Sequence, residues 1–344
     1  MEENYFCFMN EGLSHIHQTF LEIKNEMKKT IIGQDELVDL LIVTMFSGGH
    51  ALLEGVPGLG KTKTIRTISK ILDLDFKRIS FTPDLLPSDV MGAEIYKPSK
   101  SEFSIRKGPI FTNILLADEI NRTPPKVQSA LLEAMEEKQI TLAEKTLDLP
   151  DPFFVFATQN PLEHEGTYPL PEAQLDRFFM KIILDYPHPE DEKNIFKNET
   201  KKSQQKTIKN LKISSADILE MIDYIEKTVY VDEKIYDYVS DLISATRALT
   251  TFEGSMRFLE DNNIDTEMNI LDYGASTRAG LALIRGARVF ALLQGRDSVL
   301  PEDVKFLMPM ICGHRIGISY EGASEGIQTK KILDWILDNV VIPS

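Results

Sequence analysis

Four glycines or prolines, a lysine and a threonine share one short stretch, Gly55-Val56-Pro57-Gly58-Leu59-Gly60-Lys61-Thr62. Residues of these types, in this order, can hold a polyphosphate. Glycines let backbone N–H groups approach phosphate oxygens with no Cβ in the way, and a helix starting just behind them adds the positive end of its dipole. The Lys61 amine would reach the β- and γ-phosphates, and the Thr62 hydroxyl would hold Mg²⁺. The flanks suit this use. Ala51-Leu52-Leu53 reads as a short apolar strand leading in, and Ile65, Ile68 and Leu72 fall along one side of a helix leading out. Strand, glycine-rich loop and helix together make the context of a phosphate-binding loop. The expected ligand is a nucleoside triphosphate.

A second set of chemical groups ends another apolar run. Ile114-Leu115-Leu116-Ala117 is followed by Asp118 and Glu119. Read alone, the two acids fit a solvated turn. With a phosphate loop upstream, they gain a use: Asp118 to order Mg²⁺ and its waters, Glu119 to polarise an attacking water as general base. Phe153–Ala157 is a third such run, and it leads into Thr158-Gln159-Asn160. Asn160 would orient the water, although by itself it reads equally as an Asn turn before Pro161.

These groups need a scaffold that brings strand ends together. Five strand-like runs punctuate the first half: 51–53, 76–81, 114–117, 153–157 and 181–184. Several are continuously apolar, as expected of strands covered by helices on both faces. Helical patterns lie between them. In one, Thr123 is the expected N-cap before Pro124-Pro125, and Val127, Ala130, Leu131, Ala134 and Met135 follow at helical spacing. The alternation predicts an α/β fold with a parallel sheet flanked by helices and functional residues at the C-terminal strand ends. Past Asp185-Tyr186-Pro187 the pattern turns helical. Stripes run through Ile218, Met221, Ile222 and Ile225, through Ile235, Val239, Leu242 and Ile243, and around most of the segment from Ser276 to Gln294. The expected division is a helical lead-in over 1–30, an α/β domain over 31–187 and an all-helical domain over 188–344.

Composition excludes several classes. The chain has 344 residues, 42% hydrophobic and 26% charged, and no long uncharged apolar run. Glu2 and Glu3 stand where a signal peptide would be basic, so neither a leader nor a membrane span is expected. Cys7 and Cys312 are the only cysteines, which fits a reducing cytoplasm rather than a disulfide framework. His15 and His17 would lie on different faces of a helix, so no histidine metal site is expected. A net charge of −15 repels phosphate backbones and argues against a nucleic-acid partner. The basic stretch from Lys197 to Lys212, with Lys201, Lys202, Lys206 and Lys209, reads as a solvated connector.

The motifs, in order and at compatible spacing, resemble the AAA+ ATPases and, more closely, the MoxR family. The resemblance is carried by Gly33-Gln34, Glu54–Thr62, Phe81-Thr82-Pro83-Asp84-Leu85-Leu86-Pro87-Ser88-Asp89 and Ala117-Asp118-Glu119-Ile120-Asn121-Arg122. It continues in Ala157-Thr158-Gln159-Asn160-Pro161, Leu170–Phe178 and Gly274-Ala275-Ser276-Thr277-Arg278-Ala279, and it covers roughly residues 30 to 318. It implies a P-loop AAA+ core followed by a helical lid, ATP and Mg²⁺ as cofactors, and a hexameric ring with nucleotide between subunits. It implies that Ile32 and Gly33 border the adenine, and that Gly55, Pro57, Gly58, Leu59, Gly60, Lys61, Thr62 and Thr64 belong to the nucleotide site. Thr62 and Asp118 would serve the metal, Glu119 and Asn160 the water. Arg177 would be an arginine finger toward the neighbouring subunit, and Arg278 the second sensor; without the resemblance both would be ordinary surface arginines.

The same resemblance makes residues 94–107 an insert and 138–149 a hairpin, each facing a pore or partner or lying as a plain surface hairpin. It implies a protein client, reached through a von Willebrand factor A-domain protein, and outcomes such as complex maturation or cofactor and metal insertion. Three departures stand out: Thr277 where the family has proline, an apparent lid insertion over 251–269, and Leu300 in place of a usual N-cap residue. The function expected is a Mg²⁺-dependent ATPase that remodels proteins. The alternatives are a nucleic-acid motor, which the charge disfavours, and an ATP switch without turnover, which needs no general base.

Overall fold

Strands buried on both faces should read as unbroken apolar runs, and edge strands should not. The computed structural model of the chain follows that rule. It describes residues 10–98, 101–143, 145–161, 166–200 and 208–342, with backbone only at 198–200; Glu2, Glu3, Cys7, Lys201, Lys202 and Lys206 lie outside the described residues. In chain order the strands are β1 (Ala51–Glu54), β2 (Phe76–Ser80), β3 (Gly92–Lys97), β4 (Glu102–Lys107), β5 (Ile114–Asp118), β6 (Gln139–Leu142), β7 (Lys145–Asp148), β8 (Phe154–Gln159), β9 (Met180–Ile183), β10 (Leu271–Tyr273) and β11 (Gly317–Ile318).

Five of them form one sheet in the order β2-β5-β8-β1-β9. They are the five runs expected from sequence. The pairings of β2 with β5, β5 with β8 and β8 with β1 are parallel. β5, β8 and β1 are in the middle and buried almost throughout, whereas β2, at the outside, exposes Lys77, Arg78 and Ser80. Alternate residues Leu52, Leu115, Ala117, Val155 and Ala157 share one apolar cluster with Val127, Leu131, Leu132, Ala134 and Met135 of the Pro125–Glu137 helix. On another helix, Lys61–Ile71, Ile65, Ile68 and Ile71 are fully buried, and this helix contacts β5. Helices thus cover the sheet, and the loops at the C-terminal strand ends carry the chemistry. β3–β4 and β6–β7 are separate antiparallel hairpins at the positions expected for the insert and the hairpin.

One local expectation is corrected. Thr123 does not cap the following helix. Pro124 occupies the cap position and Pro125 is the first helical residue. A proline forces the residue before it out of the helical region, so Pro124 stays extended and the helix cannot start earlier. The Thr123 hydroxyl instead donates to the Thr82 carbonyl at 3.0 Å.

Contacts divide the chain into two units: residues 18–178 with 182–223, and residues up to 17, 179–181 and from 224 onward. Apart from residues 180–181 of β9, the described residues of the second unit are helical except for the short β10–β11 pair and the connecting loops. Its helices Glu233–Ala248, Thr277–Leu293, Pro301–Cys312 and Thr329–Asn339 contact one another around Leu283, Ala287, Val304, Leu307 and Ile311. Residues 251–269, read as an insertion, contain the helix Phe252–Asp261, pinned to this unit by Trp335. The indole Nε1 of Trp335 donates to Asp261 at 2.8 Å, and its ring meets Phe258 edge-on at 5.4 Å. Leu300 offers no capping oxygen, and the helix start is held instead by the reciprocal bond, in which Asp303 accepts the Leu300 N–H at 2.8 Å. Among the described residues no helix is long and apolar enough to cross a membrane.

Candidate active site

Gly58 and Gly60 take left-handed conformations, with φ of +92° and +79°, that L side chains rarely adopt. A Cβ on either would project into open space, so at these positions the loop presents bare backbone outward. Gly60 also starts the Lys61–Ile71 helix, whose first N–H groups have no partner within the helix and point toward the loop. At the near end, a Cβ on Gly55 would press on the Leu184 carbonyl at 2.9 Å. Leu59 is held from outside by Gln34, whose Nε2 donates to the Leu59 carbonyl at 2.7 Å. Thr64 is fully buried, and its hydroxyl is spent on Gln34 at 3.3 Å and the Gly60 carbonyl at 3.1 Å. It braces the loop rather than presenting an oxygen to it. Gly33 (φ +71°) lies against Asp191, which a Cβ would meet at 2.7 Å.

The Lys61 amine donates to the Gly55 carbonyl and, at 3.5 Å, to the Gln159 carbonyl, tying the ends of β1 and β8. Burial pushes its pKa below the ordinary lysine value; the charges of Asp118, Glu119 and Glu54 pull the other way. Three carboxylates therefore act on this one amine.

Parallel register explains why. Leu53 pairs with Thr158 and Glu54 with Gln159, while Ala117 pairs with Ala157, so β1, β8 and β5 end side by side. Asp118 closes β5, and Glu119 follows it in a left-handed conformation (φ 59°, ψ 49°). Such backbone strain in a non-glycine residue gathers at functional sites. Thr158, nearly inaccessible, donates its hydroxyl hydrogen to Asp118 Oδ1 at 2.6 Å and accepts the Glu119 N–H at 2.8 Å. Arg78 on β2 donates through Nε to Asp118 Oδ2 at 3.0 Å, and Arg122 pairs with Glu119 Oε2 at 3.2 Å. Asn160 is buried one residue beyond β8, next to the Gln159 carbonyl that receives Gly55 N–H at 3.4 Å.

The two arginines read from the resemblance lie in different settings: Arg177 just after a four-residue helical turn, Arg278 at the start of a 17-residue helix. Arg177 follows the Glu172–Leu175 turn of helix and donates through Nη1 to the Leu132 carbonyl at 2.9 Å and to Glu136 Oε2 at 2.5 Å. Arg278 belongs to the other unit, in the first turn of the Thr277–Leu293 helix. Ser276 caps that turn by accepting the Arg278 N–H at 3.2 Å, so the helix begins without the family's proline. Ile32 is half-buried ahead of Gly33.

The loop, Lys61, Asp118, Glu119 and Asn160 thus come to one edge of one sheet. Sequence reasoning passed over Thr158, Arg78, Arg122 and Glu136. Arg122 had a signal, being three residues past Glu119 in a turn. So had Thr158, a hydroxyl at the tip of an otherwise apolar strand. Arg78 and Glu136 had none, because each depends on which segment folds beside it.

The donor set fits a hard divalent cation. Thr62 and Asp118 supply oxygen only, and Mg²⁺ prefers oxygen while keeping several waters. Asp118 Oδ1 accepts one hydrogen bond, from Thr158, and Oδ2 accepts two, from Nε and Nη2 of Arg78, so Oδ1 keeps the freer lone pair for such a water.

Comparison with known proteins agrees with this geometry. Residues 50–180 match the family described as ATPase family associated with various cellular activities (AAA), and residues 267–336 match the AAA lid domain. The Mycobacterium tuberculosis protein named Chaperone MoxR1 is 41% identical over 334 residues, which cover 97% of this chain and 85% of that protein. Protein MoxR of Methylorubrum extorquens is 28% identical over 309 residues, covering 85% of this chain and 86% of that one. A crystal structure from Cytophaga hutchinsonii, assigned as an ATPase, gives a TM-score of 0.86 at 44% identity, covering 97% of this chain and 98% of that one.

Proposed function

This chain belongs to the MoxR family of AAA+ ATPases, and from that footing we propose that it hydrolyses ATP to ADP and phosphate to drive the remodelling of protein partners. The observation that carries the reading is the pairing of a phosphate loop with two acids at the same sheet edge, all acting on Lys61. A loop alone would serve binding; a general base serves turnover. In this reading residues 31–187 form the nucleotide domain and 188–344 the lid, after a lead-in over 1–30.

Lys61 and the backbone amides of 58–62 bind the phosphates and offset their charge. Thr62 and Asp118 would hold Mg²⁺, which when bound neutralises charge on the phosphate oxygens. Glu119 takes the proton from the attacking water, and Asn160 orients that water. Ile32 and Gly33 border the base. Arg177 acts on the nucleotide of a neighbouring subunit, and Arg278 acts from the lid; a finger of this kind is worth roughly 10³- to 10⁵-fold in related phosphoryl transfers. The assembly in view is a hexameric cytoplasmic ring. One relative is named a chaperone, and for this chain the corresponding role is client maturation through a von Willebrand factor A-domain partner.

The test is phosphate release and ATP binding by Glu119→Gln beside the unaltered chain. Binding should persist while turnover falls by about 10²- to 10⁴-fold. Turnover at the unaltered rate would remove Glu119 as general base.

A further inference from the structure

The segment that carries Arg177 is fastened at both ends to the Pro125–Glu137 helix and the turn before it. At its start, the Tyr168 N–H donates to the Asn121 carbonyl at 2.6 Å. Gln128 is fully buried, and its Nε2 sits 3.0 Å from the Tyr168 carbonyl, 3.2 Å from that of Ile120 and 3.1 Å from that of Thr123. One amide thus bridges the turn after Glu119 to the segment leading to Arg177. At the far end, Gln174 donates to Ser129 Oγ at 3.3 Å, and Arg177 reaches the Leu132 carbonyl and Glu136. Ser129, Leu132 and Glu136 fall at i, i+3 and i+7, on one stripe of the helix.

We propose that Glu136 is a positioning residue for Arg177, holding the guanidinium by one nitrogen so that its remaining donors are presented outward to a phosphate. Three facts support a clamp. Among the described residues, the Arg177 contacts to Leu132 and Glu136 both run through Nη1, so the group is gripped at one corner. One of the two acceptors is a backbone carbonyl of a buried helical turn, which fixes where Nη1 must sit. The pair is still partly open, with 30% of the Arg177 side chain and 37% of the Glu136 side chain accessible. A free arginine has many rotamers to lose, whereas a planar fork already held at one end loses few on meeting its partner. The inference rests on Arg177 acting across a subunit interface, as read above.

The experiment compares Glu136→Gln, which keeps shape but removes charge, with Arg177→Ala. Glu136→Gln should lower kcat about tenfold, the cost of a slightly misplaced group, with ATP affinity and melting temperature unchanged. Co-expressing Glu136→Gln subunits with Glu119→Gln subunits, whose Arg177 is correctly held, should raise turnover well above the average of the two preparations. A Glu136→Gln protein that is fully active while Arg177→Ala is dead overturns the clamp alone. So does a slow Glu136→Gln protein that mixing fails to rescue, since a general structural fault is not repaired by a neighbour. An active Arg177→Ala protein overturns the reading of Arg177 itself and the clamp with it.

Discussion

The Thr158 hydroxyl donates to Asp118 Oδ1 at 2.6 Å and is thereby oriented to receive the Glu119 N–H at 2.8 Å. One oxygen fixes the side chain of one acid and the backbone of the next. Thr158→Val keeps the shape but leaves the Glu119 N–H and an Asp118 lone pair without their partner. The expected result is a loss of about 1–3 kcal/mol in stability and a clear fall in kcat with little change in ATP affinity. Thr158→Ser, which restores the hydroxyl, should recover most of the rate. Equal activity of the valine and threonine proteins would detach Thr158 from catalysis.

Lys61 is tethered to the Gly55 and Gln159 carbonyls, so its amine already stands at the mouth of the loop. Lys61→Ala removes a charged donor to phosphate, worth about 3 kcal/mol at most. Titration with a fluorescent ATP analogue should show an affinity drop of roughly 100-fold. Binding within a few-fold of normal would place the phosphates elsewhere.

His50 predicts a pH dependence of stability. Its Nδ1 accepts the Val155 N–H at 3.0 Å and its Nε2 donates to the Met135 carbonyl at 3.3 Å, so it is held neutral. Burial pushes its pKa down to about 4 from 6.5. The unfolded chain therefore binds the proton first as pH falls. Stability from this residue is full above 6.5 and is lost progressively down to about 4, by about 2 kcal/mol at pH 5. Urea melts at pH 7 and pH 5 should show that loss in the unaltered chain and its absence in His50→Gln. Parallel behaviour of the two proteins would count against a buried neutral imidazole.

Asp303 is buried in the helical unit, where it accepts from Arg296 Nη1 at 2.8 Å and from the Leu300 N–H at 2.8 Å. Asp303→Ala strips the helix start of its capping carboxylate and leaves Arg296 without its anion. Loss of one partner of a buried pair costs up to about 3–5 kcal/mol, and the partial exposure of Arg296 places this case at about 2. Thermal melting of the helical unit should register the drop, and an unshifted melt would mean that water replaces the carboxylate.

The sheet was legible in the sequence because burial on both faces leaves a plain trace: Leu52, Leu115 and Val155 stand in runs with hardly a polar residue. The loop was legible because Gly58 and Gly60 meet a backbone demand that few other residues can. Contacts made across long stretches of chain were not. Nothing at position 136 announces that Arg177 will lie beside it, and nothing at position 78 points to Asp118. Thr123 misled for a local reason: a good capping residue was displaced by two prolines whose own geometry sets the helix start.

Arg78 has a second consequence, apart from Asp118. β2 is one of the two outer strands of the sheet, paired with β5 on one side and, among the described residues, with no strand on the other. An open strand edge is a template on which another chain can dock. Lys77 and Arg78, both exposed on that strand, put two positive charges where an identical edge would bring two more. Like charges directly opposite oppose such pairing. The arginine that pairs with Asp118 thus also adds charge that opposes edge-to-edge pairing of identical strands.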